Sequence, residues 1–361
     1  MPVPIIDADT HVDETEDTWE FMLPNERHLT PTTGYPSNPD PNRPLTRYWI
    51  IDGERQPRLT RDDVKTHSTV ETRELLDVKA RLRDMDEAGA EYHVIYPTTF
   101  LIQTTTKPET DLALKRSYNR WLGNRCDESG GRLRWVCLPP VLSSMEETIQ
   151  ELRWAKDHGC VGILKKGDKE AGKWPDNEYF FPMYKEAEAL NMPLCFHIGS
   201  GTFDRVPSAE QGSSGFLRLN QPVVSAFNTI VSRRMPQQFP KLRYGFIEAG
   251  SGWVPFILHG LTRRMRKGRE GFPYNPDFQI TPQMLEDMNL FVTCLVDEDL
   301  SYIMKFTGEN MLMVGSDYTH ADQSAEKDFA ARLGERAVKG DLSERAVDKI
   351  LYDNAKALYG L

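Results

Sequence analysis

The sequence lacks any long hydrophobic run. None of its apolar stretches approaches the roughly 20 residues that a membrane-spanning helix requires. The N-terminus also lacks the basic segment and apolar core of a secretory signal, because Ile5 and Ile6 lead directly into acidic residues. We therefore expect a protein that does not enter the membrane and that works in the cytoplasm.

Cysteine and clustered positive charge are also scarce. The 361 residues include five cysteines, an odd number, and no two of them form a Cys-x-x-Cys pair. This distribution argues against a disulfide framework and against a zinc site built from thiolates. The formal net charge is -10, and the one basic run, RRMRKGR at 263–269, is typical of the solvated end of a helix. Nonspecific binding to nucleic acid is therefore not expected.

Apolar segments alternate with amphipathic segments along most of the chain. Short apolar runs such as YHVIY at 92–96 are separated by helical patterns such as LLDVKARLRDMDEAG, which ends at Gly89. Eight such strands can be counted from Ile5, and this arrangement is typical of a parallel sheet covered on both faces. We predict an α/β fold, a distorted (β/α)8 TIM barrel. A doubly wound open sheet is the alternative, but no glycine-rich turn for a dinucleotide follows the first strand.

The segment from about residue 14 to residue 72 interrupts this pattern. It is rich in Pro, Thr and Asp and includes PTTGYPSNPDPNRP at 31–44. Such a stretch cannot form a regular helix or a central strand, because proline lacks the amide donor. We interpret the segment as an insertion over one end of the barrel, either a lid or an arm for oligomerisation, within one domain that spans 1–361.

Acidic residues and histidines occur where the predicted strands end. They are Asp9 and His11 on the first strand, His197 on the fifth, Glu248 on the sixth, and Asp317 and His320 after the eighth. In a barrel the C-terminal ends of the strands converge on one face, and residues two apart on a strand project to the same side. Polar side chains buried there need partners, and a divalent cation would provide one.

The set Asp9, His11, His197 and Asp317 offers two imidazoles and two carboxylates. Such a set binds Zn, Mn or Fe(II) and leaves positions open for water or substrate. Taken singly, a strand-end histidine is more often structural, and Asp317 could instead cap the next helix. Their joint placement favours a metal site.

Four motifs, DADTHV, CFHIGSG, FIEAGSGWVP and VGSDYTHAD, follow one another in this order across nearly the whole chain. In these motifs the chain resembles the amidohydrolase superfamily, in the branch similar to aminocarboxymuconate-semialdehyde decarboxylase. The resemblance implies a TIM barrel with one divalent metal, held by a pair on the first strand, a histidine on the fifth and an aspartate on the eighth. Those positions here are Asp9, His11, His197 and Asp317.

The chain departs from that family pattern at two positions. Many members carry His-x-His on the first strand, whereas this chain has Asp9 and His11, and the additional carboxylate favours Mn or Fe over Zn. The decarboxylases typically present a histidine on the sixth strand, where this chain has Glu248. We expect Glu248 to be a general base, a partner of a ligand, or a bridging ligand to a second metal. A decarboxylase mechanism that uses the missing histidine does not carry over.

The predicted function is metal-assisted hydrolysis or decarboxylation of a small carboxylated or amide-bearing molecule. Asp317 would both bind the metal and move a proton, as the family resemblance implies, and Glu248 or His320 would be the second acid or base. One metal ion is expected and two are possible. Because the six strand-end residues exceed the needs of one ion, an oxygen-activating dinuclear iron monooxygenase is one alternative, with Glu248 and His320 as ligands of the second metal. A non-catalytic subunit paired with an active relative is another.

The sequence leaves the substrate open and says little about partners. The side chains that could bind a substrate carboxylate are Arg58, Arg61, His67, Arg205 and Arg218. The family resemblance implies a homo-oligomer, and a hetero-oligomer with a related chain is possible.

Overall fold

The computed structural model describes residues 4–37, 47–58, 61–201, 215–269 and 271–361. The strands in these residues are β1 (Ile5–Val12), β2 (Thr32–Gly34), β3 (Arg47–Ile51), β4 (Glu54–Arg58), β5 (Ala90–Pro97), β6 (Leu133–Cys137), β7 (Cys160–Lys165), β8 (Leu194–His197), β9 (Tyr244–Ile247), β10 (Leu290–Cys294) and β11 (Leu312–Val314). Eight of them form one parallel sheet in the order β1-β5-β6-β7-β8-β9-β10-β11.

The sheet closes on itself between its first and last strands. Thr10 in β1 forms a parallel bridge with Tyr318, and the backbone N–H of Asp317 donates to the carbonyl oxygen of Asp9 at 2.9 Å. The result is a nearly closed barrel of eight parallel strands with flanking helices, and it confirms the predicted (β/α)8 fold over the open doubly wound sheet. We call this closing contact, between 9–11 and 316–318, the barrel seam.

Helices separate the strands along the chain. The α-helices are α1 (Asp63–Thr66), α2 (Val70–Arg73), α3 (Val78–Ala88), α4 (Pro108–Asp127), α5 (Met145–Asp157), α6 (Phe181–Ala189), α7 (Gly215–Arg218), α8 (Asn220–Ser232), α9 (Met235–Gln238), α10 (Val254–Arg266), α11 (Pro282–Asp287), α12 (Leu300–Thr307), α13 (Phe329–Val338), α14 (Glu344–Asp348) and α15 (Asn354–Tyr359). Short 3-10 helices span Glu16–Trp19, Pro24–Leu29, Thr99–Leu101 and Glu178–Phe180, and one π-helical turn spans Lys349–Asp353.

Local sequence signals explain where several helices begin and end. Ser144 caps α5, because its hydroxyl accepts from the N–H of Glu147 while the Glu147 carboxylate accepts from the N–H of Ser144. Gly89 ends α3 in the left-handed conformation that glycine adopts without a steric penalty. Every residue of β1, β7, β8 and β9 is buried, as expected for barrel strands that have no solvent face.

The predicted insertion contains a small sheet of its own. Strands β2, β3 and β4 pair antiparallel, and β4 accommodates Pro57 because it is an edge strand, where a missing amide donor costs no ladder hydrogen bond. Trp49 of β3 is buried against Trp19, with ring centroids 5.5 Å apart. Much of PTTGYPSNPDPNRP lies outside the described residues. The single-domain boundaries and a lid or arm role for this segment stay predictions.

The last helix packs against the barrel at β1. The hydroxyl of Tyr359 in α15 donates to the carbonyl oxygen of Ala8 at 2.7 Å and lies 2.8 Å from the hydroxyl of Tyr96. No helix in the described ranges has both the length and the apolar character needed to cross a membrane.

Candidate metal centre

The six strand-end residues singled out in the sequence lie together at one end of the barrel. Asp9 and His11 come from β1, His197 is the last residue of β8, Glu248 follows β9, and Asp317 and His320 follow β11. None of the six has more than 6% of its surface exposed. The structure thus brings all of the sequence-predicted site residues into one buried cluster.

Four side chains, those of Asp9, His11, His197 and Glu248, direct polar atoms toward a common point, and Asp317 lies at its edge beside His11. The Nε2 atom of His11 lies 3.4 Å from Asp9 Oδ1, 3.2 Å from Asp317 Oδ1 and 3.6 Å from Glu248 Oε2. The Nε2 atom of His197 lies 3.2 Å from Asp9 Oδ1 and 2.9 Å from Glu248 Oε2. Ligands about 2.1 Å from one ion, at right angles to one another, are separated by about 3.0 Å. The cluster therefore has the dimensions of a metal coordination shell.

Three atoms at this point make no hydrogen bond outside the cluster. They are His11 Nε2, Glu248 Oε2 and Asp317 Oδ1, and each is fully shielded from solvent. An unpartnered polar atom in a protein interior costs about 1–3 kcal/mol, and more when the group is charged. Three such atoms facing one another are the arrangement that a cation would stabilise.

The two central histidines are oriented by backbone carbonyl groups. His11 Nδ1 donates to the carbonyl of Pro97 at 2.9 Å, and His197 Nδ1 donates to the carbonyl of Ile198 at 3.1 Å. With the proton on Nδ1, each neutral ring presents the Nε2 lone pair to the cluster. Metal-binding histidines are commonly fixed by this kind of hydrogen bond.

Without a cation the cluster shares protons unevenly. Burial opposes the charged form of His197, but the carboxylates of Asp9 and Glu248 outweigh it and raise its pKa to about 10. The same contacts lower the pKa of Asp9 and bring that of Glu248 to about 2, although burial alone would raise both. Burial and the neighbouring Glu248, Asp322 and Asp9 carboxylates raise the pKa of Asp317 well above its usual value. A cation would take the place of these protons.

His320 lies beside the cluster. Its Nδ1 atom is 2.9 Å from Asp317 Oδ1, and its Nε2 atom is 2.9 Å from the hydroxyl of Thr98. Burial, the neighbouring His11 and the guanidinium of Arg61 hold its pKa well below the usual value. His320 is therefore neutral and is positioned to exchange a proton with Asp317.

Sequence reasoning missed two residues of the site, Asp322 and Ser324. Asp322 belongs to a second group of possible ligands that also includes Glu248, Asp317 and His320. The Ser324 hydroxyl lies 2.8 Å from Glu248 Oε1 and also contacts Asp322. The motif DYTHADQS shows an acid and a hydroxyl within four residues of His320, but it does not indicate the direction of either side chain.

Two residues of the cluster have strained backbones. Glu248 has φ 66° and Asp317 has φ 54°, a left-handed conformation that side chains other than glycine rarely adopt. Both residues directly follow or closely follow a barrel strand, where the chain turns sharply. Strain of this kind is concentrated at functional sites.

Asp7 and Glu14 support the cluster from outside. Asp7 accepts from the N–H of Ser316 at 2.8 Å, and burial raises its pKa to about 7. Glu14 accepts from the N–H groups of Thr98 and Thr99 at 3.1 and 2.9 Å, and burial raises its pKa to about 7 as well. Because Thr98 contacts His320, Glu14 fixes the loop that orients that histidine.

The candidate carboxylate-binding residues occupy different surroundings. Arg61 lies near His320 and contacts Asp13 at 3.4 Å, whereas Arg58 is held by Glu16 at 2.7 Å. His67 lines a cleft of about 640 Å³ that also reaches Asp317 and His320. Arg205 and the side chain of Arg218 lie outside the described residues.

The chain is similar to known proteins in both sequence and fold. The model of a family described as amidohydrolase matches residues 6–361. In fold, the chain is similar to an amidohydrolase, map2389c, from Mycobacterium avium subsp. paratuberculosis K-10, with 18% identity, coverage of 100% and 99% of the two chains, and a TM-score of 0.77. It is also similar to 5-carboxyvanillate decarboxylase LigW from Sphingomonas paucimobilis, with 16% identity, 100% coverage of both chains and a TM-score of 0.68.

A third structure was solved with a metal. It is a 5-carboxyvanillate decarboxylase from Novosphingobium aromaticivorans DSM 12444 in complex with manganese and 4-hydroxy-3-methoxy-5-nitrobenzoic acid. It shares 17% identity, with coverage of 81% of this chain and 82% of that one and a TM-score of 0.61. The family match spans nearly the whole chain and confirms the resemblance of the four motifs. The chain belongs to the amidohydrolase family and is an enzyme.

Proposed function

We propose that Asp9, His11, His197 and Asp317 bind one divalent cation, with Glu248 as a fifth ligand or as a partner of the ligands. The observation that carries the proposal is the convergence of three buried atoms, His11 Nε2, Glu248 Oε2 and Asp317 Oδ1, that make no hydrogen bond outside the cluster. Three carboxylates beside two imidazoles form an oxygen-rich, anionic set, which favours Mn(II) or Fe(II) over Zn. The manganese bound to the related decarboxylase agrees with this choice.

The reaction we propose is hydrolysis or decarboxylation of a small molecule that carries a carboxylate or an amide. A divalent cation in this cluster would polarise a carbonyl or carboxylate oxygen and lower the pKa of a bound water toward about 7. Asp317 and His320, 2.9 Å apart, form the pair that moves a proton, because the neutral ring of His320 lies within hydrogen-bonding distance of the Asp317 carboxylate. Glu248 is the second acid or base, and Ser324 fixes its carboxylate.

Arg61 is our candidate for binding a substrate carboxylate. The positive charge of its guanidinium helps to lower the pKa of His320 at the edge of the cluster. Its contact with Asp13, at 3.4 Å, is long enough for a substrate carboxylate to replace Asp13. An arginine can hold a carboxylate through two parallel hydrogen bonds. The cleft that reaches Asp317 and His320 has room for a molecule of this size.

A second cation is a further possibility that one observation favours. Glu248, Asp317, His320 and Asp322 form a second group of potential ligands, and Glu248 also belongs to the group of Asp9, His11 and His197. Glu248 and Asp317 would then bridge two ions. The comparisons include decarboxylases and do not favour an oxygenase, so we propose that a second ion would assist the same hydrolytic or decarboxylating chemistry. The homo-oligomer and the cytoplasmic location stay predictions.

Metal analysis of the purified protein tests the proposal. The wild-type chain, stripped and reloaded with Mn(II), should retain one or two ions per chain, and Asp317→Asn should retain less. Glu248→Gln should leave one ion where the wild type holds two. Asp287→Asn and Glu335→Gln are matched controls, because both residues are exposed and neither belongs to a group of potential ligands. A wild-type chain that retains no ion after reloading contradicts the proposal.

A further inference from the structure

Arg81 is fully buried, although arginine is rarely buried without a specific role. It comes from α3, which packs against β5. Its Nη1 atom donates to the carbonyl oxygen of His11 at 3.0 Å, and its Nε atom donates to His93 Nδ1 at 3.2 Å. One guanidinium thus contacts the backbone of a cluster residue and the neighbouring strand.

The same guanidinium also touches the other side of the barrel seam. It lies over the ring of Tyr318 at 4.2 Å from the centroid, and Tyr318 directly follows Asp317. The Tyr318 carbonyl in turn accepts from the N–H of His11 at 2.5 Å. Both backbone hydrogen-bonding groups of His11 are therefore fixed, one by Tyr318 and the other by Arg81.

The seam has little other regular pairing. Strand β11 has three residues, and among the described residues its ladder pairing is with β10, whereas β1 hydrogen-bonds to the returning chain at 316–318. Here Asp9 and His11 on one side must align with Asp317 on the other. Ligand atoms have to be held within about 0.5 Å of their positions for a site to function. A group that bonds both sides of the seam is well placed to set that alignment.

We propose that Arg81 is a positioning residue for the metal centre. The inference rests on the proposed function, because it supposes that the cluster binds a cation. Arg81 touches no cluster side chain and acts through the His11 carbonyl and the Tyr318 ring. Lysine cannot replace it, since one ammonium group cannot bond His93 and His11 at once while lying flat on an aromatic ring. Outer residues that orient metal ligands commonly change metal affinity by 10- to 100-fold when they are replaced.

The test compares Mn(II) binding by metal-stripped wild type, Arg81→Lys and Arg83→Lys, with affinity measured by chelator competition. Arg83 is the matched control, because it lies on the same helix and its side chain is exposed. Arg81→Lys should weaken Mn(II) binding about 10- to 100-fold and alter the Mn(II) electron paramagnetic resonance spectrum, whereas Arg83→Lys should match the wild type. Thermal unfolding of the metal-free proteins measures any general loss of stability.

The outcomes separate the two proposals. A wild-type chain that binds no Mn(II) overturns the proposed function and this inference with it. If the wild type binds Mn(II) and Arg81→Lys binds it with the same affinity and the same spectrum, the inference about Arg81 is overturned and the proposed function stands. This holds even if metal-free Arg81→Lys unfolds at a lower temperature than the metal-free wild type. If Arg81→Lys does not fold, Tyr318→Leu removes the aromatic contact instead, and it too should weaken Mn(II) binding. Unchanged Mn(II) affinity in Tyr318→Leu then overturns the inference.

Discussion

The imidazole rings of His11 and His320 stack face to face, with centroids 3.8 Å apart and planes 16° apart. The two rings nevertheless face different partners. His11 directs an unpartnered Nε2 into the cluster, whereas both nitrogens of His320 are occupied, one near Asp317 and one by Thr98. Of the two stacked histidines, His11 is therefore the candidate metal ligand and His320 is the candidate for proton transfer.

This division predicts unequal effects on metal binding. His11→Gln should weaken Mn(II) binding by at least about 100-fold, because it removes a ligand and leaves the facing carboxylates unpaired. His320→Gln should weaken binding of the first ion by about tenfold or less. Chelator competition with the metal-stripped proteins measures both. Equal losses in the two variants would mean that His320 is itself a ligand of the first ion.

A second prediction concerns Gly315, just before the seam. A Cβ atom at this position would lie 2.5 Å from the Cβ of Asp9, so Gly315→Ala must displace Asp9. We expect a loss of about 1–3 kcal/mol in the free energy of unfolding and a clear drop in Mn(II) affinity. Denaturant titration and metal binding measure the two effects.

Gly260→Ala is the control for that substitution. Gly260 lies inside α10, and an added Cβ would meet no atom within 4 Å. This variant should bind Mn(II) normally and be more stable by up to about 1 kcal/mol, because alanine favours the helix. If Gly315→Ala has the same stability and Mn(II) affinity as Gly260→Ala, the prediction is wrong and Asp9 can move without loss of either.

A third prediction follows from the burial of Glu14. Burial raises its pKa from 4.5 to about 7, so between these values the folded protein binds a proton that the unfolded chain has lost. The contribution of Glu14 to the free energy of unfolding is fully present below about pH 4.5 and is lost as the pH rises through 7. Relative to that of Glu14→Gln, the free energy of unfolding of the wild type should fall by up to about 3 kcal/mol between pH 5 and pH 8. Urea titrations of the metal-free proteins across this range make the comparison, and a pH-independent difference would contradict it.

A fourth prediction links metal binding to proton release. His197 has its pKa raised to about 10 by Asp9 and Glu248 against the effect of burial, so its ring is protonated at neutral pH in the metal-free protein. Ligation requires that proton to leave, and Mn(II) affinity should therefore rise with pH by up to about tenfold per unit for each proton released. Calorimetry in two buffers with different ionisation enthalpies counts the protons. Affinity that is constant from pH 6 to pH 8 would contradict the prediction.

Much of the site could be predicted because barrel topology relates strand ends to one another. Once eight parallel strands are counted, Asp9, His197 and Asp317 must lie on the same face, however far apart they are in sequence. The rule that residues two apart on a strand project to the same side does not hold throughout β1. Asp7 has the same parity as Asp9, yet its carboxylate bonds to Ser316, because the β1–β5 register shifts between Asp7 and Thr10.

The residues that could not be predicted act through tertiary packing. Arg81 lies on a helix whose pattern places it among charged neighbours, and only the docking of α3 shows that its guanidinium reaches the seam. Ser324 and Asp322 come from a loop, where no periodicity fixes the direction of a side chain. Glu14 begins the insertion, and its role depends on the loop after β5 that its carboxylate holds.

The seam also sets the order of events when the protein is made. Asp7 and Ser316 are joined by a hydrogen bond but are 309 residues apart in the chain, so a ribosome completes one side of the cluster long before the other. During that interval Asp7, Asp9 and His11 of β1 have no partners from the end of the chain that follows β11. The proposed cation would find its full set of ligands only when almost the whole polypeptide has emerged, and nascent chains cut short before 316, which lack Asp317, should bind Mn(II) more weakly than the complete chain.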